Sequence, residues 1–519
     1  MINTPRQRDL LLITCVALCL RWLMMPWAET VDADAVSRIF LAKQWAAHPD
    51  WISEGVWGPF HFYLFGSVFW LTDDHVWAST FLQTVISGLT AIPLYLLGSR
   101  LYGRVGGWAC ALFLVANPVI LHNSFQGLSF PPFALFTAWS MYYFQRAMAS
   151  EGKEKDAFYA GLFLTIASGF RFEAWILMAL FAGFLLWKKG WKSTLSFGLI
   201  AASFPLIWMA GNWSAHNNPL YSITPYQTWW NESLTDAQKN PIIWWKRRLF
   251  FPLSLTYLVQ PILGLFFIAM SVYLTLKKKW RFEVLIWWVP LLVFLVLWML
   301  KVINGSMFMQ HRFTSILLLL LAPLIGILTQ APGKRWINHS LLFLLIAINI
   351  PASFRFRSFR IENFINQPKE VREALFDFRE MGLEQTTAIP RLKSGKVRPW
   401  VQKLQAQRLE NPNGLILDFM GWEETYHLAF TSGWHPDNIL LIPGGWEGDF
   451  NPDAFKYFFD RSNNLSGTLL IQKNSKFDEL FGPDTPERFF EGRGIRVELI
   501  ELDRDEEFIL YNYTWKKTT

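Results

Sequence analysis

The sequence predicts a polytopic α-helical membrane protein that carries a soluble α/β domain at its C-terminal end. Three observations lead there. The 519-residue chain is 52% hydrophobic and 17% charged, with 28 Trp and 46 Phe, too apolar and too aromatic for an ordinary soluble enzyme. Apolar runs that reach or approach the ~20 residues needed to cross a bilayer recur as far as about residue 355. Beyond that point the runs shorten, and strand-like and helical stretches alternate.

About eleven spans are expected, at 9–28, 76–98, 105–121, 128–147, 157–170, 174–187, 194–212, 250–276, 282–300, 313–330 and 337–354. Arg6 and Arg8 precede the first, and no small-residue cleavage site is evident, so it reads as an uncleaved signal anchor. Basic residues gather in alternate connections: Arg100 and Arg104; Arg146, Lys153 and Lys155; Lys188, Lys189 and Lys192; Lys277 to Lys279 with Arg281; Lys334 with Arg335. Cytoplasmic loops carry that bias. It puts 29–75, 122–127, 213–249, 301–312 and the tail after 355 on the outer side. The net charge of +7 is scattered over these loops and does not suggest nucleic acid. Cys15, Cys19 and Cys110 lie inside expected spans, so no disulfide framework is implied. The fifth and sixth runs are too short to cross separately. Between them lies Gly169-Phe170-Arg171-Phe172-Glu173-Ala174-Trp175, either in a kinked re-entrant hairpin or at a tip in a water-filled cavity.

Two domains follow, 1–355 in the membrane with an outer loop at 29–75, and 356–519 outside it. In the second, strands are expected at Leu415–Phe419, Ile439–Ile442, Thr468–Gln472, Val497–Leu502 and Phe508–Tyr513. Helices are expected at Glu370–Arg379, Glu423–Phe430 and Asp453–Arg461. Neither G-x-G-x-x-G nor a P-loop is present, so a nucleotide role has no support, and Gly444-Gly445 reads as a turn.

The first outer loop opens with Asp32 and Asp34, followed by an amphipathic helix from about Ala35 to Ala47. A Pro-, Gly- and Trp-rich patch leads to a short aromatic helix from about Pro59. Either acid can cap the helix that follows. Either can equally serve as a general base or metal ligand facing a lipid headgroup. Arg171 and Glu173 form an ion pair or an interfacial anchor on the plainer reading, but their place at a helix break favours a role. His311-Arg312-Phe313 stands at the outer end of a Leu-rich run. An outward Arg runs against the charge bias and is a natural phosphate partner. Lys246-Arg247-Arg248 either binds an anionic headgroup or flanks the next span. The aromatic stretch from Asn217 to Trp230 would suit a cover over an acceptor, and Asn231 opens a formal glycosylation triplet.

In this order the pieces resemble the GT-C-fold glycosyltransferases that take a sugar from a polyprenyl phosphate. The branch resembled holds the protein O-mannosyltransferases and the lipid A aminoarabinose transferases. The residues that carry the likeness are Asp32 and Asp34, the helix after them, Trp57-Gly58-Pro59-Phe60-His61-Phe62-Tyr63, Arg171-Phe172-Glu173-Ala174-Trp175 and Arg312-Phe313, over roughly 10–330. There are two departures. Ala33 separates the acids, and the second outer loop, His122-Asn123-Ser124-Phe125-Gln126-Gly127, has no acid where many relatives do. The tail also lacks the Trp-Trp-Asp signature of oligosaccharyltransferases.

The resemblance implies an inverting enzyme that moves one sugar to an acceptor hydroxyl on a lipid, glycan or protein at the outer face. Asp34 would be the base, with Asp32 second. Arg312, beside His311, would hold the donor phosphate. Arg171, Glu173, Arg38 and His61 would line the cavity, and Lys246, Arg247 and Arg248 would meet a headgroup. A divalent ion on Asp32 or Asp34 stays open. The rival is a polyprenyl-linked lipid transporter, which needs charged groups along a path through both leaflets. A third reading is an assembly scaffold acting through the tail. The candidate groups gather at the outer mouth, which favours the enzyme.

Overall fold

The computed structural model describes residues 4–149, 152–222, 241–304, 306–307, 310–348, 397–418, 422–442, 458–459, 466–475, 478, 481, 487–492 and 494–518. They fall in two compact units. The first draws on Met1–Ala28, Trp51–His61 and Thr80–Pro390, the second on Glu29–Asp50, Phe62–Ser79 and Arg391–Thr519.

In chain order the helices begin with α1 (Pro5–Trp22), α2 (Ala33–Ala47), α3 (Phe60–Phe69), α4 (His75–Leu89) and α5 (Ala91–Tyr102). Next come α6 (Arg104–Val115), α7 (Pro118–Asn123), α8 (Phe130–Met148), α9 (Glu154–Ser168) and α10 (Glu173–Lys189). The series goes on with α11 (Trp191–Ala201), α12 (Ser203–His216), α13 (Pro241–Val259), α14 (Pro261–Leu276) and α15 (Phe282–Leu285). It ends with α16 (Trp288–Ile303), α17 (Thr314–Ile325), α18 (Arg335–Ala347), α19 (Arg398–Glu410) and α20 (Trp422–Thr431).

Among the described residues, four segments can cross a membrane by length and apolarity: Pro5–Trp27, His75–Tyr102, Phe282–Ile303 and His311–Gln330. Two bent pairs raise this to six, α11 with α12 at 45° and Arg248–Val259 with α14 at 99°. The larger bend has a local cause. Gln260 takes φ 70°, and Pro261 follows, with no N–H to continue the ladder. The other expected spans are helices too, α6, α8, α9, α10 and α18, that fall short of that length or apolarity.

Small residues set the close packing of the first unit. Gly103, at φ 81°, ends α5 and starts α6, a left-handed backbone that only glycine adopts freely. The two helices then fold back so tightly that a Cβ on Gly107 would lie 2.0 Å from Ser99 Oγ. Every residue of α17 is buried. A helix apolar on all sides belongs in the middle of a bundle. Arg21, in the last turn of α1, is fully buried. It donates through Nε to Ser124 Oγ (3.1 Å) and through Nη2 to Ser87 Oγ (2.9 Å). Its Nη1 reaches the carbonyls of Ala17 and Val115 (3.0 and 3.3 Å). The expected second outer loop is thereby held inside the bundle, with His122 to Ser129 all buried.

The second unit contains a six-stranded mixed sheet in the order β2-β1-β3-β6-β5-β4. Its strands are β1 (Leu415–Asp418), β2 (Ile439–Ile442), β3 (Ser466–Gln472), β4 (Glu487–Gly492), β5 (Ile495–Arg504) and β6 (Phe508–Lys517). β1 runs parallel to β2 and β3, and the other pairs are antiparallel. Alternate side chains feed two cores. Ile416, Leu469, Ile471, Val497, Tyr511 and Tyr513 lie in one. Leu415, Leu417, Leu470 and Leu510 lie in the other, with Trp400, Leu428, Trp434 and Phe40 of α2. Two elements were not anticipated, the edge strand β4 and the helix α19. The helix expected at Glu370–Arg379, most of that at Asp453–Arg461, and the Gly444-Gly445 turn lie outside the described residues.

Candidate active site

The acid pair divides its work. Asp32 is the N-cap of α2, and its Oδ1 accepts the backbone N–H of Asp34 at 3.1 Å. Asp34 sits in the first turn, half-buried. Arg38, also half-buried, follows four residues on and shares its face. Capping, which either acid could have supplied, falls to Asp32.

In the first unit, two motifs more than a hundred residues apart meet. Phe60 N–H donates to Gly169 O (3.2 Å), and the Phe60 ring lies edge-on to Phe170 at 5.9 Å. A Cβ on Gly58 would lie 2.2 Å from Gly169 O, so no side chain fits there. Upstream, Gly55 N–H donates to Asn212 Oδ1 (3.0 Å), Ser222 Oγ donates to Gly55 O (2.6 Å), and His216 lies 2.9 Å from Glu54. The Trp-Gly-Pro patch is therefore stapled to the break between α9 and α10 and to the end of α12. At the break, Arg171 and Glu173 pair with each other, their side chains 20% and 18% exposed. That is the ion pair of the plainer reading. His61, in the first turn of α3, is fully buried.

His311, Arg312 and Phe313 form one 3₁₀ turn at the head of α17. Two neighbours hold it, and a third ties the first turn of α17. His311, fully buried, places Nδ1 2.6 Å from Ser254 Oγ on α13, which lies 2.7 Å from Thr314 Oγ1. Trp298 Nε1 on α16 donates to Phe313 O at 3.1 Å, and Asn123 Nδ2 on α7 donates to Ser315 Oγ at 2.9 Å. Arg312 itself is half-buried, its guanidinium 5.1 Å from the centroid of the Phe313 ring. Arg248 is half-buried, and the side chains of Lys246 and Arg247, the stretch 223–230 and Asn231 lie outside the described residues.

Sequence reasoning missed several of these. Lys301, on α16, stacks its ammonium 5.8 Å over Trp298, and its charge bears on Glu173. Like Arg312 it is a basic residue in a connection expected outside, and the same rule would have found it. Arg21 could have been found as an ionisable group within an apolar run. Ser254, Asn123 and Trp298 gave no sequence signal.

Asp32, Asp34 and Arg38 belong to the second unit, and His61, Arg171, Glu173, His311, Arg312 and Arg248 to the first. Among the described residues, no group of three or more His, Cys, Asp or Glu is arranged to hold a metal ion. Two carboxylates, one engaged as a cap, do not make a site that fits a divalent ion on its own.

Residues 48–198 match the family model described as dolichyl-phosphate-mannose-protein mannosyltransferase. That segment includes the Trp57–Tyr63 patch and the 169–175 break. The fold is similar to that of ArnT from Cupriavidus metallidurans bound to undecaprenyl phosphate, with TM-score 0.62 and 13% identity over 97% of each chain. The apo state of that protein gives 0.59 and 12%, again over 97% of each chain. The archaeal oligosaccharyltransferase AglB from Archaeoglobus fulgidus, in complex with an inhibitory peptide and a dolichol-phosphate, gives 0.48 and 10%, over 90% of this chain and 69% of that one. No curated protein sequence matches the chain. Over residues 48–198, less than half of the chain, the sequence is similar to that family, and the fold is similar to that of ArnT.

Proposed function

We propose that the chain is a membrane glycosyltransferase of the GT-C type that takes a sugar from a polyprenyl phosphate, and that it is inverting and transfers that single sugar to an acceptor hydroxyl of a lipid, glycan or protein on the outer side of the membrane. The observation that carries the reading is the half-buried Arg312 on a turn held by Ser254 and Trp298. A fixed guanidinium presents parallel N–H donors to two phosphate oxygens. Asp34 takes the proton of the acceptor hydroxyl as its oxygen attacks the anomeric carbon from the face opposite the phosphate. The bond from that carbon to the phosphate oxygen breaks, and the electron pair leaves with the polyprenyl phosphate. Charge grows on the leaving group, where a preorganised cation is most effective.

The purified protein in vesicles, given a radiolabelled polyprenyl-phosphate sugar and a cell-envelope extract, should form labelled product and free polyprenyl phosphate. Movement of the labelled lipid between leaflets without acceptor, and with no product, would favour the transporter reading instead.

The arrangement rests on about eleven spans with the N-terminus inside, a transferase domain at 1–355 and an extracytoplasmic domain at 356–519. A reporter fused after Thr519 should be active outside the cytoplasm and one after Lys189 inside, from the bias of the basic loops. A cytoplasmic reporter at Thr519 would overturn the orientation.

A further inference from the structure

We infer that the C-terminal domain positions the acid of the first loop, gripping the chain on both sides of Asp32 and Asp34 through His427 and Lys43. This rests on the reading of Asp34 as the base.

Before the acids, Glu29 pairs with Arg398, and Thr30 O lies 3.1 Å from His427 Nδ1. A carbonyl only accepts, so this nitrogen carries the hydrogen. His427 is buried on α20. After the acids, Phe40 enters the domain core and meets Tyr426 edge-on at 5.9 Å. Lys43 donates to Trp434 O at 2.8 Å, and His48 Nε2 lies 2.6 Å from Asp437 Oδ2.

Lys43 is the telling residue. It is 5% exposed, and burial, with a smaller contribution from Arg408, pushes its ammonium down to about 8. A methionine would fill that space without the cost of desolvating a charge. The lysine adds a directional bond just beyond the last turn of α20, where helix carbonyls favour a cation. At 3.6 residues per turn, Lys43 lies about 180° around α2 from Asp34, and Arg38 about 40° from it. Val36, Ile39, Phe40 and Lys43 are buried, while Asp34 and Arg38 are half-buried. The domain thus grips one face of α2 and fixes its rotation, and the opposite face carries Asp34 and Arg38.

The test uses the purified full-length chain. His427→Leu and Lys43→Met should each lower turnover by about tenfold to a hundredfold, the effect of a misplaced reacting group. The KM for donor should not change. Amide exchange at 34–37 should quicken while that of the sheet stays the same. His427→Asn, whose Nδ2 keeps an N–H donor at the position of Nδ1, should recover most of the turnover. In an Asp34→Asn background, His427→Leu should add no further loss. A dead Asp34→Asn variant beside wild-type turnover and exchange in His427→Leu and Lys43→Met overturns the grip. Wild-type turnover in Asp34→Asn, with exchange still quickened by His427→Leu, overturns the base instead. Additive losses, or a raised donor KM, count against positioning and for general destabilisation.

Discussion

Asp34→Asn should leave a folded protein whose transfer rate is down by about 10²–10⁴-fold, the usual loss when a general base is removed. Asparagine has the size of aspartate and no basic oxygen. The helix should survive the change, because the cap belongs to Asp32, whose carboxylate accepts the N–H of residue 34. Asp32→Asn makes the contrast. Asparagine caps about as well as aspartate, so that variant should keep most of its activity. Asp32→Ala should instead lose about 1 kcal/mol of stability through the missing cap. Steady-state transfer rates beside thermal melts separate the two roles. Near-normal turnover in both Asn variants would mean that this loop is not the catalytic one.

Arg312→Ala should lose most of the activity, and Arg312→Lys should keep part of it. A lysine supplies a point charge where the guanidinium supplies a two-pronged donor. The turn is tied by Ser254 and Trp298, so the loss should come from the missing cation rather than from a loosened backbone. If the contact serves ground state and transition state alike, donor affinity weakens. If it tightens as charge moves onto the leaving phosphate, turnover falls. Unchanged donor affinity together with unchanged turnover would reduce Arg312 to an interfacial anchor, and the cluster ending at Arg248 would be the next candidate. The Leu-rich α17 behind it is buried throughout, so its leucines pack inside the bundle and do not face the lipid.

The architecture was legible where a repeating pattern encoded it. Long apolar runs gave the helices of the first unit, and short apolar runs gave β1, β2, β3, β5 and β6. The edge strand β4 was not legible, because Glu-Arg-Phe-Phe-Glu-Gly has only two adjacent apolar residues and no apolar run. Helix α19 was missed because Arg398–Glu410 buries only Trp400 and Leu404 along its length. At the candidate site the Arg171–Glu173 pair could be read, but the other partners could not. Nothing in the spacing of Asp32 and Asp34 says which of them caps. The bond from Arg21 to Ser124 spans 103 residues, and serines within apolar helices leave no period to detect. The stapling of Gly58 to Gly169 depends on the absence of two side chains, which reads as mere turn composition until the contact is seen.

The buried Arg21 also constrains how the protein is made. Its side-chain partners, Ser87 and Ser124, lie 66 and 103 residues further along the chain. At a synthesis rate of about 5–20 residues per second, the first helix waits roughly 5–20 seconds before the second of these serines leaves the ribosome. A guanidinium alone in hydrocarbon is costly, but at the last turn of a helix it can reach up to the headgroups. On this timing, Arg21 is expected to stay near the lipid surface at first and to move inward when the later helices arrive, so that α1 docks late.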